Sequence, residues 1–347
     1  MRLWQPFAGR TDDRRISHGG QRVKRSAWLG LVLLLGSGIA LAGWVSDTQS
    51  AMGTRIHAEA WSEDEAAARV VLSAVMAEMQ RMDRTYSPYR EDSELSRVNA
   101  QAASGWVEIS SEFLDILQKS QYASQISGGA FDITYASAGR YYDYRNGDRP
   151  DAERLTAAAR DINYRYVEID PELPAVRFAR NGVYVDLGGI AKGYAVDRGI
   201  AIMQRAGIEH GALTAGGDSR IIGDRLGKPW TVGVRDPRDE TEMVAVLPLT
   251  DTAVSTSGDY ERFFEEDGVR YHHILDPTTG DSARDSWSVT VLGPEAAFTD
   301  ALSTSVFVLG VEKGLQLIDR LPGIDAIVID ANGKLHYSSD LAELAPN

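Results

Sequence analysis

The stretch VYVDLGGIAKGYAVDRGIAIM, Val183 to Met203, carries the strongest local pattern in the chain. We expect a strand that ends at Asp186-Leu187, a turn at Gly188-Gly189, and a helix that begins near Ala191 with Lys192 in its first turn. Glycines let a ligand approach the backbone N–H groups at a helix start, which suits a phosphate. Lys192 opposes the helix dipole there, so we expect an anion beside it. The pattern also fits a plain strand–turn–helix connection, and it is neither a dinucleotide GxGxxG motif nor a Walker P-loop.

Helices and strands alternate in the rest of the chain, with no internal repeat and no Pro/Ser-rich linker. The helices expected from apolar periodicity are Glu63–Tyr86, Ser110–Ile126, Asp151–Ala159, Ala191–Ala206, Glu295–Leu309 and Glu312–Arg320. The expected strands are Tyr166–Ile169, Ala175–Phe178, Val183–Leu187, Ala212–Ala215, Trp230–Val234, Ala245–Leu249, Ala253–Ser257, Ser288–Leu292 and Ala326–Asp330. Antiparallel-looking hairpins in the middle third favour an α+β fold, with mixed sheets and packed helices, over a doubly wound sheet.

The charge of the chain is unevenly distributed. Its 347 residues carry a net charge of −14, yet residues 1–25 contain seven basic and two acidic side chains, which leaves −19 for the remainder. This strong negative charge on the residues after 25 argues against nucleic acid, itself an anion, as a partner. An anionic substrate would need local donors or a bound cation. The chain contains no cysteine, which excludes disulfides, thiol catalysis and cysteine-ligated metals.

The first 46 residues are predicted to be a basic leader followed by a signal peptide or an N-terminal anchor. No charge occurs from Ser26 to Ser46, and the apolar core Ala27–Trp44 is followed by the body, expected over residues 51–340. A basic stretch, an apolar run and the small-residue site Ala40-Leu41-Ala42 are typical of export. We therefore expect a periplasmic protein, soluble or held at the inner membrane. Trp44 stands where a lipoprotein would have its cysteine, so lipidation is not expected.

Three further segments contain side chains suited to chemistry. In Ser255–Gly280, a hairpin turn at Asp267-Gly268 precedes the neighbouring residues His272 and His273, which a strand would direct to opposite faces, so only one is expected to serve a site. In Thr299–Gly310, a carboxylate and a hydroxyl four residues apart would share one helix face, as a hard cation such as Mg²⁺ requires. In Ser127–Ser137, an aromatic residue and an acid are expected in an exposed loop. Each segment alone also fits an ordinary structural role.

Together and in this order, the segments resemble the ApbE family of FAD:protein FMN transferases. The resemblance runs from about Ala51 to Asp330. The motifs that carry it are Met52-Gly53-Thr54 at the expected start of the first strand, GGAFDIT from Gly128, VDLGGIAKGYAVD from Val185, GGD from Gly216, STSGDYER from Ser255, HHILDPTTG from His272 and DALSTSVFVLG from Asp300. It implies an ApbE-like, T-fold-related architecture.

The resemblance also implies a reaction and its residues. FAD is cleaved at its pyrophosphate, FMN is transferred to a Thr or Ser hydroxyl of a target protein, and AMP leaves, with Mg²⁺ required. It implies that His273 is the base and that the metal is held by Gly189 (through its carbonyl), Asp300 and Thr304. The residues implied around FAD are Met52, Ala130, Phe131, Asp132, Asp186, Lys192 and Ile274.

Two other functions fit the same residues. One is an Mg²⁺-dependent FAD pyrophosphatase that yields FMN and AMP, and the other is a periplasmic flavin-binding protein without catalysis. For a transferase, the resemblance suggests targets among the subunits of membrane electron-transfer complexes, such as sodium-pumping quinone reductases or Rnf complexes, or flavin-bearing reductase domains. The sequence does not identify the target, the oligomeric state, the number of metal ions or the fate of the leader.

Overall fold

The computed structural model describes residues 42–344, and the predicted leader up to residue 41 lies outside the described residues. Two 3₁₀ turns occur at Ile133–Tyr135 and Tyr164–Tyr166. The described helices are α1 Glu65–Tyr86, α2 Glu94–Gln101, α3 Ser111–Ile126, α4 Ala136–Gly139, α5 Ala152–Ala159, α6 Ala191–Arg205, α7 Ala296–Ile318 and α8 Ser339–Leu344. The described strands are β1 Gly43–Ala51, β2 Thr54–Ser62, β3 Val107–Glu108, β4 Val167–Ile169, β5 Ala175–Phe178, β6 Gly211–Ala215, β7 Asp218–Ile222, β8 Trp230–Arg235, β9 Met243–Leu249, β10 Ala253–Gly258, β11 Phe263–Glu266, β12 Val269–His272, β13 Ser286–Gly293, β14 Asp325–Asp330 and β15 Leu335–Tyr337.

One antiparallel sheet organises the body. Its eight strands follow the order β1-β2-β6-β7-β10-β13-β14-β15. Helices α1, α6 and α7 pack against it. Smaller antiparallel sheets are formed by β3-β5-β4, β8-β9 and β11-β12. The expected α+β class with several sheets and packed helices is therefore confirmed. Gly43–Ser46, the last residues of the predicted leader, belong to β1 and hence to the main sheet.

Local sequence signals explain how several helices begin and bend. The Asp64 carboxylate accepts from the backbone N–H groups of Ala66 and Ala67 at the start of α1. The predicted cap Ser110 accepts from Phe113 at the start of α3. The two helices expected around residue 310 are two arms of α7, separated by Gly310, whose φ of 72° is non-helical.

One expected strand does not form. Residues 183–187 are extended but join no sheet. Their backbone is bound by a side chain, because Asn99 accepts from the N–H of Val185 and donates to its carbonyl, each at 2.8 Å. A little further on, the N–H of Asp186 donates to the carbonyl of Ile133 at 3.0 Å. The strand prediction was wrong because the backbone of this buried apolar run bonds to the Asn99 side chain and to the turn at Ile133. The apolar periodicity of the sequence does not reveal such contacts.

Helix α7 is the one described helix long and apolar enough to cross a membrane by length and composition. It packs against β13 and β10 and contributes Leu302, Val306 and Phe307 to the core. Its apolar character therefore reflects burial between the sheet and its neighbouring helices.

Candidate active site

The start of α6 lies directly against the first turns of α7. The backbone N–H of Gly193 donates to Oδ2 of Asp300 at 3.1 Å. A Cβ atom added at Gly193 would lie 2.1 Å from the carbonyl oxygen of Ala296, so only glycine permits this approach. The sequence predicted an anion at this helix start, and a carboxylate of the protein itself, that of Asp300, occupies part of it.

Lys192 is held by three oxygen-bearing groups. Its Nζ lies 3.0 Å from the carbonyl oxygen of Gly188, 2.9 Å from Oδ2 of Asp218 and 3.3 Å from Oδ2 of Asp300. Both carboxylates are buried, with 2% of Asp218 and 3% of Asp300 exposed. Burial, with Asp218 adding repulsion, raises the pKa of Asp300 above its ordinary value. For Lys192, burial is outweighed by the two carboxylates, and the pKa lies above its ordinary value.

The three residues implied as metal ligands come together. Asp300 and Thr304 are one turn apart on α7, and a Cβ atom added at Gly189 would lie 3.3 Å from Oγ1 of Thr304. That Cβ would also lie 3.1 Å from the ring of Phe131, so glycine leaves a narrow space there. The loop after Asp186 and the helix with Asp300 therefore converge.

This oxygen set fits Mg²⁺. A carboxylate, a hydroxyl and a backbone carbonyl are hard donors, and Mg²⁺ commonly takes its remaining ligands from water and substrate phosphates. Within residues 42–344, no three acidic or histidine side chains cluster as a metal site of their own. Asp300 would therefore be the one charged side chain that holds the ion, and water or substrate phosphates would supply its remaining ligands.

The two neighbouring histidines have different surroundings, as expected. His272 is buried, its Nε2 is 2.8 Å from the carbonyl oxygen of Ala283, and its ring packs edge-on against Phe307. His273 is half-buried, and its buried Nδ1 has no hydrogen-bond partner among the described residues. Burial, together with the nearby Arg262 cation, lowers the pKa of His273 to about 3. A neutral imidazole with an unpaired ring nitrogen can accept a hydrogen bond or a proton from a ligand.

A backbone hydrogen bond joins His273 to Arg262, because the N–H of His273 donates to the carbonyl of Arg262 at 3.2 Å. Lys192 and Arg262 both lower the pKa of His273. The same two cations offset part of the rise that burial causes in the pKa of Asp186, whose Oδ1 accepts from the N–H of Gly188 at 2.7 Å. Asp186 and His273 therefore share one pair of positive charges.

Met52 lies in the turn that joins β1 and β2, with φ 55°, rather than at the start of a strand. Beside it, a Cβ atom at Gly53 would lie 3.2 Å from a guanidinium nitrogen of Arg262. On the other side, a Cβ at Gly216 would lie 2.7 Å from Oγ1 of Thr54. Three motifs that are far apart in sequence thus meet at this turn.

The remaining residues implied around FAD are more enclosed than expected. Phe131 and Asp132 are buried, with 3% and 6% exposed, so the expectation of an exposed loop is wrong, while Ala130 is half-buried. The carboxylate of Asp132 accepts from the N–H and hydroxyl of Thr134, in the turn that follows it, and from the N–H of Tyr164, in the other 3₁₀ turn. A ligand would therefore contact the backbone of this loop more readily than the carboxylate of Asp132.

Ile274 is also buried, and both of its backbone polar groups are used. Its N–H donates to Nδ1 of His272, and its carbonyl accepts from the N–H of Ala283. Only the apolar side chain remains for contact with a ligand.

Sequence reasoning missed residues that the fold brings to the site. Asp218 and Arg262 lay in quoted motifs, yet neither was assigned a role.

Most of this chain matches a known protein family. The sequence model of the ApbE family matches residues 52–328. The chain belongs to the ApbE family. An FAD:protein FMN transferase of Treponema pallidum (strain Nichols) is 32% identical over 317 residues, which cover 86% of this chain and 88% of the relative.

Solved ApbE structures share the fold. The ApbE protein of Thermotoga maritima superposes with a TM-score of 0.80 at 34% identity and covers 88% of this chain and 100% of its own. The flavin transferase ApbE of Vibrio cholerae gives a TM-score of 0.78 at 29% identity, with 87% and 99% covered. The expected ApbE-like architecture is therefore confirmed for this chain.

Proposed function

We propose that this ApbE protein transfers FMN from FAD to a Thr or Ser hydroxyl of a target protein, with Mg²⁺, and releases AMP. The observation that carries the proposal is the meeting of Gly189, Asp300 and Thr304 near Lys192. His273 adds a ring nitrogen that has no hydrogen-bond partner among the described residues. The names of the curated relatives support a transferase that uses FAD.

The chain's own residues can perform the reaction by positioning and proton transfer. Arg262 supplies positive charge for the diphosphate in an otherwise acidic protein, while the charge of Lys192 is balanced by Asp218 and Asp300. The acceptor oxygen attacks the phosphorus of the FMN half, the bond to the AMP oxygen breaks, and AMP takes up the electron pair. His273 is neutral and receives the proton of the attacking hydroxyl. Mg²⁺ held by Gly189, Asp300 and Thr304 would neutralise charge on the diphosphate.

Burial already keeps His273 unprotonated, since its pKa of about 3 is far below neutral pH. A bound diphosphate would add negative charge near the ring and raise that pKa toward the range in which a base is effective. Binding of the diphosphate would therefore make His273 a better acceptor for the proton of the attacking hydroxyl.

The decisive experiment is mass spectrometry of a candidate acceptor, such as a subunit of a sodium-pumping quinone reductase, after incubation with FAD, Mg²⁺ and this protein. A covalent FMN adduct that disappears when Mg²⁺ is withheld supports the transferase. Free FMN and AMP without an adduct would support the pyrophosphatase instead, because water can replace the acceptor hydroxyl. Bound but unchanged FAD would support a flavin-binding protein.

His273→Ala tests the base. We expect FAD binding to persist, measured by quenching of flavin fluorescence, and transfer to fall by roughly 10²–10⁴-fold. His57→Ala is the matched control, because His57 lies on β2 and is bonded to the hydroxyl of Thr48, and it should leave transfer unchanged. Unimpaired transfer in His273→Ala would show that another group takes the proton.

We further propose that the protein is exported to the periplasm and is not lipidated. The uncharged run Ala27–Trp44 after a basic leader supports export, and the absence of any cysteine removes the acylation site. Fractionation of cells that express the full chain tests this proposal, and N-terminal sequencing of the mature protein distinguishes cleavage from anchoring.

A further inference from the structure

Asp218 is a buried acid for which the mechanism above has no use. It is the first residue of β7, directly after the Gly216-Gly217 turn, and it is 2% exposed. A Cβ atom at Gly217 would lie 2.6 Å from the carbonyl oxygen of Thr256, so the turn is pressed against β10 and the acid has little freedom to move. A buried carboxylate is costly unless a cation accompanies it.

The cation beside Asp218 is Lys192. Its Nζ lies 2.9 Å from Oδ2 of Asp218, and that oxygen accepts no hydrogen bond of good geometry from the described residues. The same Nζ lies 3.3 and 3.4 Å from the two oxygens of Asp300. The ammonium is therefore shared between two carboxylates and lies nearer to the one that is not implied in metal binding.

This sharing matters for Asp300. A carboxylate oxygen that is to hold a divalent cation cannot be fully engaged by an ammonium group as well, because the two cations repel each other. Two carboxylates and one ammonium leave the cluster with one negative charge to attract the metal. Without Asp218 the cluster would be neutral, and Lys192 would be left with Asp300 as its one carboxylate partner.

We infer that Asp218 is a positioning residue that draws Lys192 away from Asp300 and so keeps Asp300 available to a divalent cation. The inference rests on the proposed function, since it presupposes that Asp300 binds the metal. Residues that act through a ligand in this way commonly change metal affinity by 10–100-fold.

The test is direct binding of Mn²⁺, used as a probe for Mg²⁺, measured by electron paramagnetic resonance on the purified full chain without FAD. Asp218→Asn should raise the Kd for Mn²⁺ by at least about tenfold. Asp218→Glu, which keeps the charge, should recover part of the affinity. Thermal unfolding of each variant shows that the measured protein is folded.

A double-mutant cycle separates positioning from simple loss of charge. If Asp218 acts through the ammonium, Asp218→Asn should have little further effect in a Lys192→Met background. An equally large effect in that background would overturn the inference, because it would reflect long-range electrostatics alone.

Asp197→Asn is the matched control. Its carboxylate also joins α6 to α7, but it accepts from the N–H groups of Ala296 and Ala297 and pairs with Arg220. We expect it to lower stability and leave the Kd for Mn²⁺ unchanged. Wild-type affinity in Asp218→Asn would refute the inference while the proposed metal site stands. Absence of Mn²⁺ binding to the wild type would refute both.

Discussion

Gly193→Ala tests the contact that brings α6 and α7 together. The added methyl group would lie 2.1 Å from the carbonyl oxygen of Ala296 and 2.5 Å from its carbonyl carbon. These are backbone atoms in the first turn of α7, which cannot rotate aside. The helices would have to separate by about 1 Å to restore an ordinary contact. That movement would stretch the hydrogen bond from the N–H of residue 193 to Asp300, now 3.1 Å.

The expected loss of stability follows from three contributions. Overpacking of this kind costs about 1–3 kcal/mol. The weakened hydrogen bond to a charged acceptor costs about 1.5–3 kcal/mol when it is lost completely. Alanine gains about 1 kcal/mol over glycine inside a helix. If the hydrogen bond is lost, the free energy of unfolding should therefore fall by about 1.5–5 kcal/mol. The Mg²⁺ concentration that gives half-maximal transfer should rise because Asp300 is displaced.

Gly199→Ala on the same helix is the control. Its methyl group would approach side-chain ends, 2.3 Å from Cδ2 of Leu213 and 3.1 Å from Cγ1 of Val75, which can rotate. Urea denaturation should show a smaller loss of stability, and transfer should keep its Mg²⁺ dependence. If Gly193→Ala matches Gly199→Ala in both assays, the close approach of α6 and α7 does not position Asp300.

Two further predictions concern β10 and β12. Ser257→Ala removes the hydroxyl 3.3 Å from Oγ1 of Thr304, so we expect weaker Mn²⁺ binding, whereas Thr256→Ala, whose hydroxyl bonds to the opposite side of the strand, should bind Mn²⁺ normally. A wild-type Kd for Mn²⁺ in Ser257→Ala would show that the Ser257 hydroxyl does not support metal binding. Burial lowers the pKa of His272 to about 4. Below pH 6.5 the unfolded chain therefore binds a proton on this histidine, whereas the folded protein binds it only near pH 4. Because of this histidine, the free energy of unfolding should fall by about 3 kcal/mol between pH 6.5 and 4, and His272→Gln should reduce that fall. Urea denaturation at several pH values measures the fall. The same pH dependence in His272→Gln and in the wild type would contradict the prediction.

Features encoded within one segment were predictable from sequence. The Gly188-Gly189 turn and the start of α6 at Ala191 are as expected, and so is the hairpin turn at Asp267-Gly268 between β11 and β12. The i,i+4 spacing placed Asp300 and Thr304 on one face of α7. Each of these depends on backbone conformation and helical period, which a short window of sequence contains.

Features that depend on contacts between distant segments were not predictable. The extended run at residues 183–187 looks like a strand, but Asn99, some 86 residues earlier, binds its backbone. Phe131 and Asp132 look like residues of an exposed loop, and their burial follows from packing against other segments. Asp218 looks like a turn residue, and its role depends on an ammonium group from another helix. The periodicity of apolar residues along the sequence carries no information about these contacts between distant segments.

The distribution of charge explains why the site needs these distant partners. Outside the leader the chain carries −19, so a diphosphate approaches a surface that repels it on average. Arg262, exposed beside the Met52-Gly53 turn, and Lys192, half-buried between two acids, lie on different segments of the fold. Neither cation alone would offset that repulsion, and Lys192 is already balanced by carboxylates. A divalent cation at Asp300 would reverse the sign of that cluster from −1 to +1, and we therefore expect FAD affinity to depend steeply on the metal and only weakly on Lys192.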